Sequence, residues 1–372
     1  MTQVDRSRVM IENVGQDLRE TVERLMDRLA PRTFAGGRVL IKPNMVGPSP
    51  PELGHTTHPE LVRAVVLACL DRGANPAVGD NPGGINRSSR NVAKITGILD
   101  ASENRFLPIS EQVVERTGAA TGLPLIVSRA VLDADFVINL PIFKTHAGMM
   151  ITGAMKNTFG YVAGACKARL HVMARTPEVF ARAVCDVFQV RPPDLNILDA
   201  ITAIEGNGPC HGGRLRKVGK LLGSTDALAL DSVMARMMGV DPALLPIQKE
   251  GLARGLGALD ERDVVIQGDL IKIPDFKMPS TFQAAALDEE SRAEMRKLYP
   301  PGMMATRIGV KPQRNDEKCI ECGDCALNCP ALALTLEPDF HISDDCIACY
   351  CCVELCPEGA MEVPDVEAYR HY

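Results

Sequence analysis

The sequence predicts an α/β protein: a mainly parallel sheet with helices on both faces, followed by a small C-terminal α+β unit. Three observations predict it. Over residues 1–268, short apolar runs alternate with amphipathic stretches of helical length. Such alternation implies parallel strands buried under helices on both faces. Close to the C-terminus the run C-x2-C-x2-C-x3-C-P occurs twice, which marks a separate module. Between them, residues 269–310 hold Pro274, Pro279, Pro300 and Pro301 around one charged helical piece at 287–298, the pattern of a linker or a wrapping arm. The expected domains are therefore 1–268, the arm 269–310, and 311–372.

Taken in order, residues 39–41 are an apolar strand. Residues 59–72 follow as a helix, because Leu61, Val62, Val65, Val66, Cys69 and Leu70 fall on one face at helical spacing. His58-Pro59 is a plausible start with Thr57 as the cap. A strand at 77–79 leads through a Gly/Asn loop to a helix near 88–97. Strands at 123–127 and 136–140, a helix at 177–188, strands at 195–198 and 218–222, a helix at 226–238 and a last strand at 264–268 complete the pattern.

The chain has 372 residues, 46% hydrophobic and 24% charged, ordinary for a globular protein. No apolar run approaches the roughly 18 residues of a membrane span. Residues 1–8 are polar and lack a signal-peptide core. A cytoplasmic location with no membrane partner is expected. Trp is absent and aromatics are 4%, which argues with the lack of a basic patch against nucleic-acid binding. Charge is uneven: residues 311–372 carry 4 Lys/Arg and 13 Asp/Glu, net −9. That is either a solvated acidic module or a surface that steers a basic redox partner.

Thirteen cysteines in such a chain read as metal ligands rather than disulfides. The first run is Cys319, Cys322, Cys325, Cys329 and Pro330, the second Cys346, Cys349, Cys352, Cys356 and Pro357. Structural zinc usually takes two cysteine pairs rather than two runs of four closed by proline. The run resembles the bacterial two-cluster ferredoxin pattern, in which the fourth cysteine serves the other cluster. The resemblance implies two 4Fe-4S clusters in a ferredoxin-like domain. One would use Cys319, Cys322, Cys325 and Cys356, the other Cys346, Cys349, Cys352 and Cys329. Cys351 reads as a spare thiol, and Cys69 and Cys185 as buried and inert.

In an open α/β sheet, ligands bind outside the carboxyl ends of the strands. Several strands here run into polar residues: Lys42-Pro43-Asn44, then Asp80-Asn81-Pro82-Gly83-Gly84, then Lys144-Thr145-His146, and Asp199 with Glu205 and Asn207 beyond it. Parallel strands would bring these ends to one rim. Lys144, His146 and Asp80 are the candidate catalytic residues. Lys42, Asn44, Lys156, Asn157, Glu205 and Asn207 are the candidate substrate-binding residues. Each has a plainer reading. Lys42 could be a solvated strand end, Asp80 and Asn81 a turn, Gly83-Gly84 a turn rather than an anion cradle, and His146 a structural histidine. Met149, Met150 and Met155 read as packing, and Cys210-His211 offers too few ligands for a metal. Nothing matches the Rossmann, P-loop, HExxH or GxSxG motifs.

These same residues carry a family resemblance. Lys42-Pro43-Asn44, Thr56-Thr57-His58-Pro59-Glu60, Asp80-Asn81-Pro82-Gly83-Gly84, Lys144-Thr145-His146, Met155-Lys156-Asn157 and Glu205-Gly206-Asn207-Gly208-Pro209 occur in order. Together they resemble the uncharacterised iron–sulfur family catalogued as domain of unknown function 362, over roughly residues 38–268. More distantly the chain is similar to the nickel-pincer lactate racemases, which use a His for nickel and a Lys ten residues on; His146 and Lys156 have that spacing. Those enzymes lack the ferredoxin tail, and only His55 and His58 are candidates for their further metal His. The resemblance implies a shared fold with a changed site.

The function expected is an iron–sulfur oxidoreductase. It would pass single electrons from a low-potential electron donor or acceptor protein to a small anionic ligand at the strand rim. The alternatives are a ferredoxin-type carrier or activator that docks on a partner protein, and a metal-site enzyme of isomerase type.

Overall fold

The computed structural model describes residues 6–30, 34–84, 87–174, 176–282 and 310–364. The central sheet contains β1 (Ser7–Asn13), β2 (Arg38–Lys42), β3 (Asn75–Val78), β6 (Phe136–Asn139), β7 (Ile142–His146), β8 (Met150–Ile151), β9 (Leu195–Gly206), β10 (Gly213–Ser224) and β11 (Val264–Gln267). Its order is β11-β1-β10-β9-β6-β2-β3, with β7 also on β9 and β8 on β7. The pairs β1/β11, β2/β3, β2/β6, β6/β9 and β7/β9 are parallel. The β9–β10 hairpin and its β1 neighbour are antiparallel. The mainly parallel sheet is thus as the alternation requires, with an antiparallel insert near one edge.

Helices cover both faces, and the pleat shows why. Successive side chains on a strand point to opposite faces. On β2, Val39 and Ile41 enter one buried core and Leu40 the other; on β6, Phe136 and Ile138 divide from Val137 in the same way. The first core is closed by α1 (Leu18–Leu29), α2 (Pro59–Asp71), α3 (Ser89–Ile95) and α4 (Ile98–Ala101). The second is closed mainly by α8 (Pro177–Val190), α9 (Ala227–Met237) and α10 (Pro246–Ala253).

Several local expectations need correction. The 123–127 strand is β5 (Pro124–Ser128), which pairs with β4 (Val113–Thr117) in a separate two-stranded sheet. Helix α2 is capped by His58 itself, whose ring Nδ1 accepts from Glu60 N; the Thr57 hydroxyl donates instead to Leu140 O. Residues 142–146 are a strand in their own right, and 195–198 and 218–222 are parts of twelve-residue strands. Three further helices near the rim or the second core are α5 (Arg129–Asp133), α6 (Ala154–Asn157) and α7 (Gly164–Met173).

Residues 269–282 run back along the large unit, with Ile273 N donating to Met237 O and the Thr281 hydroxyl to Ala147 O. The helical piece expected at 287–298 lies outside the described residues. The C-terminal unit has two like halves. Strands β12 (Gln313–Arg314) and β15 (Met361–Glu362) pair, as do β13 (Leu334–Thr335) and β14 (His341–Ile342). Helices α11 (Asp324–Leu327) and α12 (Cys351–Leu355) each contain the third cysteine of a run, Cys325 and Cys352.

Candidate functional site

Two cavities lie inside the C-terminal unit, and each is walled by four cysteines. Cys319, Cys322, Cys325 and Cys356 line one; Cys346, Cys349, Cys352 and Cys329 line the other. These are the crossed sets that the ferredoxin resemblance implies, with the fourth thiol of each run lining the other cavity. The thiols form no disulfides. Backbone amides point at two of them, Ala333 N to Cys329 Sγ at 3.3 Å and Ala360 N to Cys356 Sγ at 3.2 Å. Four thiolates and amide donors to sulfur are the donor set that an iron–sulfur cluster uses, so the residues fit the group.

The large unit has its cleft at the carboxyl ends of β2, β3 and β7, with a volume of about 110 Å³ and an opening to solvent. Lys42, Asn44, Asp80, His146, Lys156 and Asn157 all line it, as the rim argument expects. Its far wall comes from the other unit: Asn328, Cys351, Glu354 and Leu355. Asn328, Cys351 and Leu355 each adjoin a cluster cysteine in the chain, Glu354 lies two residues from both Cys352 and Cys356, and Cys351, read above as a spare thiol, lines the cleft.

Lys42 is fully buried, its Nζ 2.8 Å from Asp80 Oδ1 and donating to Pro43 O at 2.9 Å. Burial lowers its pKa, and Asp80 works the other way. Both Asp80 oxygens are occupied, Oδ1 also by Asn81 N and Oδ2 by Met45 N, so Asp80 clamps the loops after β2 and β3 together. The clamp requires Gly160: a Cβ there would lie 2.0 Å from Asp80 Oδ1.

His146 is buried, and both ring nitrogens are engaged. Nδ1 accepts from Gly148 N at 3.0 Å and Met149 N at 3.2 Å, so the proton sits on Nε2, 2.9 Å from Glu354 Oε1. Burial, helped by Lys156, lowers the imidazole to about 4. Burial would raise Glu354, but His146 and Lys156 outweigh it and hold the carboxyl at about 2. A neutral imidazole donates to a carboxylate across the junction of the two units.

Below the cleft runs a directional chain of amides. Lys144 Nζ donates to Asn44 Oδ1 at 2.8 Å, Asn44 Nδ2 to Asn157 Oδ1 at 2.8 Å, Asn157 Nδ2 to Asn139 Oδ1 at 2.7 Å, and Asn139 Nδ2 to Asn196 Oδ1 at 2.9 Å. Asn196 Nδ2 ends it on Ser224 O. A lysine has only donors, so it fixes the orientation of every amide behind it. Lys144 itself is not part of the cleft lining: it is an internal strut, also donating to His55 O at 2.6 Å, and burial lowers it to about 8.

Glu205 and Asn207 also stand away from the cleft. Glu205 accepts from Lys277 N, and Asn207 accepts from Ser280 N and donates to Val363 O, so they hold the returning arm and the chain end. His211 packs edge-on against His55, and a Cβ on Gly359 would touch its ring, so Cys210-His211 belongs to the docking surface. Burial raises Cys210 to about 12. Met149, Met150 and Met155 are core, as expected. The Gly83-Gly84 pair serves close approach: a Cβ on Gly83 would lie 3.2 Å from Leu355 Cδ2, and one on Gly84 3.1 Å from Asn328 Oδ1.

Two lining residues escape the sequence reading, Lys167 and His171 on α7. Lys167 Nζ donates to Asn81 O and Pro82 O, and burial lowers it to about 8. Glu354 escapes it too. The only signal was its place between two cluster cysteines.

The fold and the two thiol sets define an α/β protein carrying a ferredoxin-like iron–sulfur module. More particularly, the chain belongs to the family described as Domain of unknown function (DUF362), which matches residues 39–236, just over half of it. A 4Fe-4S dicluster domain matches residues 311–357. A thylakoid-associated protein of Synechocystis sp. is 36% identical over 259 residues, covering 66% of this chain and 79% of that protein. An uncharacterised ferredoxin of Methanocaldococcus jannaschii is 39% identical over 49 residues, 12% of this chain and 79% of that protein. Among solved structures, the lactate racemase apoprotein of Thermoanaerobacterium thermosaccharolyticum aligns with a TM-score of 0.40 at 13% identity, over 63% of this chain and 57% of that one. A Thermotoga maritima protein aligns at 0.34 and 12%, over 56% and 55%. The chain spans little more than half the length of these solved structures. Among the described residues, no helix is long and apolar enough to cross a membrane.

Proposed function

We propose that the protein is an iron–sulfur oxidoreductase that delivers single electrons to a small anionic ligand held in the rim cleft. The observation that carries this reading is the shared wall. One side of the cleft is the basic rim of the large unit, and the other is α12 and its neighbours, which present Cys351, Glu354 and Leu355 between cluster cysteines. Two 4Fe-4S clusters, one in each cysteine set, would supply one-electron transfer when bound. Lys156 and Lys167 bind the anion. The His146–Glu354 pair is the candidate proton relay, the Nε2–H of His146 donating to Glu354 Oε1 on the cleft wall. Asp80 and Lys144 keep the rim in shape.

The exposure of the two sets supports a direction. Cys322 is exposed and its neighbour Ile320 is 61% exposed, whereas Cys346, Cys349 and Cys352 are buried. Electrons enter at the outer set from a low-potential partner protein, guided by the acidic module, and leave from the inner set beside the cleft. A cytoplasmic setting belongs to this reading, because thirteen cysteines without a disulfide suit a reducing compartment. The carrier reading shares the entry face but needs no cleft. The metal-site reading needs a free ring nitrogen on His146, and both are engaged.

The test is elemental analysis of anaerobically purified protein, with mass spectrometry of whatever denaturation releases. About eight irons, no other metal and a released anion that reoxidises the reduced clusters are expected. His146→Asn should keep the iron, because its amide oxygen can still accept from Gly148 and Met149, yet slow that reoxidation. Iron with no ligand favours the carrier. Nickel or zinc lost in His146→Ala would overturn the reading.

A further inference from the structure

The two cysteine runs fold alike, so each position in the first has a counterpart in the second. Leu332 N donates to Cys329 O as Gly359 N does to Cys356 O, and Ala333 N reaches Cys329 Sγ as Ala360 N reaches Cys356 Sγ. The halves differ on their surface. In the second, Ile347 is buried, Glu354 meets His146, and Gly359 is buried against His211 of the large unit. Their counterparts Ile320, Leu327 and Leu332 are apolar and bare. At 61%, 56% and 84% exposure they are the three most exposed large apolar side chains among the described residues. Scattered single cases are ordinary, but three on the turns of one cysteine run are not. Those turns are continuous: Leu327 N donates to Gly323 O, Cys329 N to Ala326 O, and Leu332 N to Cys329 O.

Leu332 also carries a backbone cost. Its φ is 53°, in the left-handed region, where the other half has Gly359 at 62°. A bulky side chain is an outlier there, and glycine is at ease. Packing inside the chain does not offset the cost, because the side chain stands in solvent. Strain that the fold itself does not use points to function.

Charge selects the partner. Residues 311–372 have a net charge of −9. Glu317, Glu321, Glu337, Asp339 and Glu358 are exposed. The described cations of this unit, Lys311, Arg314 and Lys318, each already meet a carboxylate. Anionic lipid and nucleic acid are repelled by such a surface, and a basic protein is attracted. Ile320 and Glu321 line the outer cysteine cavity itself, so a protein seated here stands beside that set.

We propose that Ile320, Leu327 and Leu332, among these carboxylates, dock a separate one-electron carrier protein whose apolar contact face is rimmed by lysine or arginine. This rests on the reading above that the outer set exchanges electrons with a partner, and it names the surface and the partner's chemistry.

The experiment is anaerobic stopped-flow oxidation of the reduced holoprotein by cytochrome c, a basic carrier whose ferric haem takes one electron from one reduced cluster. Reduction of the clusters by the methyl viologen radical is the control. Oxidation should slow at least tenfold between about 20 and about 300 mM salt. Leu332→Gly should slow it about three- to tenfold, and adding Ile320→Gln and Leu327→Gln should slow it further. Iron content and the viologen reaction should not change. Leu332→Gly should melt within about three degrees of the parent, because relief of left-handed strain offsets the freedom that glycine adds to the unfolded chain. An unchanged cytochrome c rate in the triple variant, or a rate indifferent to salt, would overturn the proposal. A Leu332→Gly protein that melts lower than that, or a triple variant that loses iron, would make these residues structural and overturn it too. A parent dimer in sedimentation that the triple variant dissolves would give the face to a second copy instead. Slowed cytochrome c oxidation in a protein whose clusters no cleft ligand reoxidises would uphold this face and sink the reductase reading. Reoxidation by a cleft ligand with cytochrome c indifferent to the variants would do the reverse.

Discussion

At the scale of single residues, burial separates groups that look alike in the sequence. Lys42, Lys144 and Lys156 each follow or sit near a strand end, and their letters alone do not rank them. Lys42 meets a carboxylate, Lys156 lines the cleft, and Lys144 lies behind it as the donor that orients the amide chain. Lys144→Met keeps the bulk but leaves Asn44 Oδ1 and His55 O without a donor. An unsatisfied buried acceptor costs about 1–3 kcal/mol, so two of them should lower stability by roughly 2–6 kcal/mol. Denaturant titration checks it. A variant as stable as the parent would show that the lysine is no strut. Lys42, Asn44, Asp80 and His146 line the cleft because parallel strands share a carboxyl end, which is a rule about topology, and Lys156 and Asn157 reach it on α6. The other three, Lys144, Glu205 and Asn207, are displaced by contacts with residues far along the chain, which spacing does not encode.

At the scale of elements, the cleft depends on short pieces that only tertiary contacts stabilise. Helix α6 has four residues and carries Lys156 and Asn157, too short to stand alone. Asp231 on α9 holds its first turn, accepting from Ala154 N at 2.5 Å and Met155 N at 3.1 Å. Burial nevertheless raises the Asp231 carboxyl to about 7, against those bonds and the one from Gln248. Gln248 Oε1 lacks a partner, and after rotation of its amide it would accept the carboxyl proton. The sign follows from linkage. An unfolded aspartate titrates near about 3.9, so between that value and about 7 the folded chain holds a proton the unfolded chain has lost. This group's stability contribution is full below about pH 4 and is lost as pH rises through 7, by at most roughly 4 kcal/mol. Asp231→Asn stays neutral. Its urea midpoint should therefore fall less between pH 5 and pH 8 than the parent's, and an equal fall would refute the assignment. Elements were legible where periodicity is strong: the apolar face of α2 and the strands β2, β6 and β11 stand where expected. Helix α7 was not, because only Leu170 among its ten residues is fully buried and no apolar stripe marks it. Lys167 and His171 were hidden with it. The cysteine sets came from the resemblance to two-cluster ferredoxins, because spacing within one run does not say that its fourth thiol serves the other cavity.

At the scale of the whole molecule, the cleft exists only while the two units are docked. The seam is narrow. Arg87 reaches across to Asp324 Oδ2 at 3.0 Å and Leu355 O at 3.2 Å, His146 meets Glu354, and Asn207 and Ser280 hold Val363 and Pro364. Gly83 and Gly84 leave room for Leu355 and Asn328 to come close. Arg87 is the one of these that can be reversed without touching a cleft-lining residue. In Arg87→Glu a carboxylate faces Asp324, and like charges at this distance repel. The C-terminal unit has its own core and its own ligands, so iron content and reduction of the clusters by a small reductant should not change. The radius of gyration from X-ray scattering should rise as the units part, and reoxidation of reduced clusters by the cleft ligand should slow at least tenfold. Adding Asp324→Arg restores an opposite-charge pair and should recover much of the rate, an interaction that the double-mutant cycle isolates. Undiminished reoxidation by an undocked Arg87→Glu protein would mean that electrons reach the ligand by another route, and the shared wall would then have no part in the chemistry.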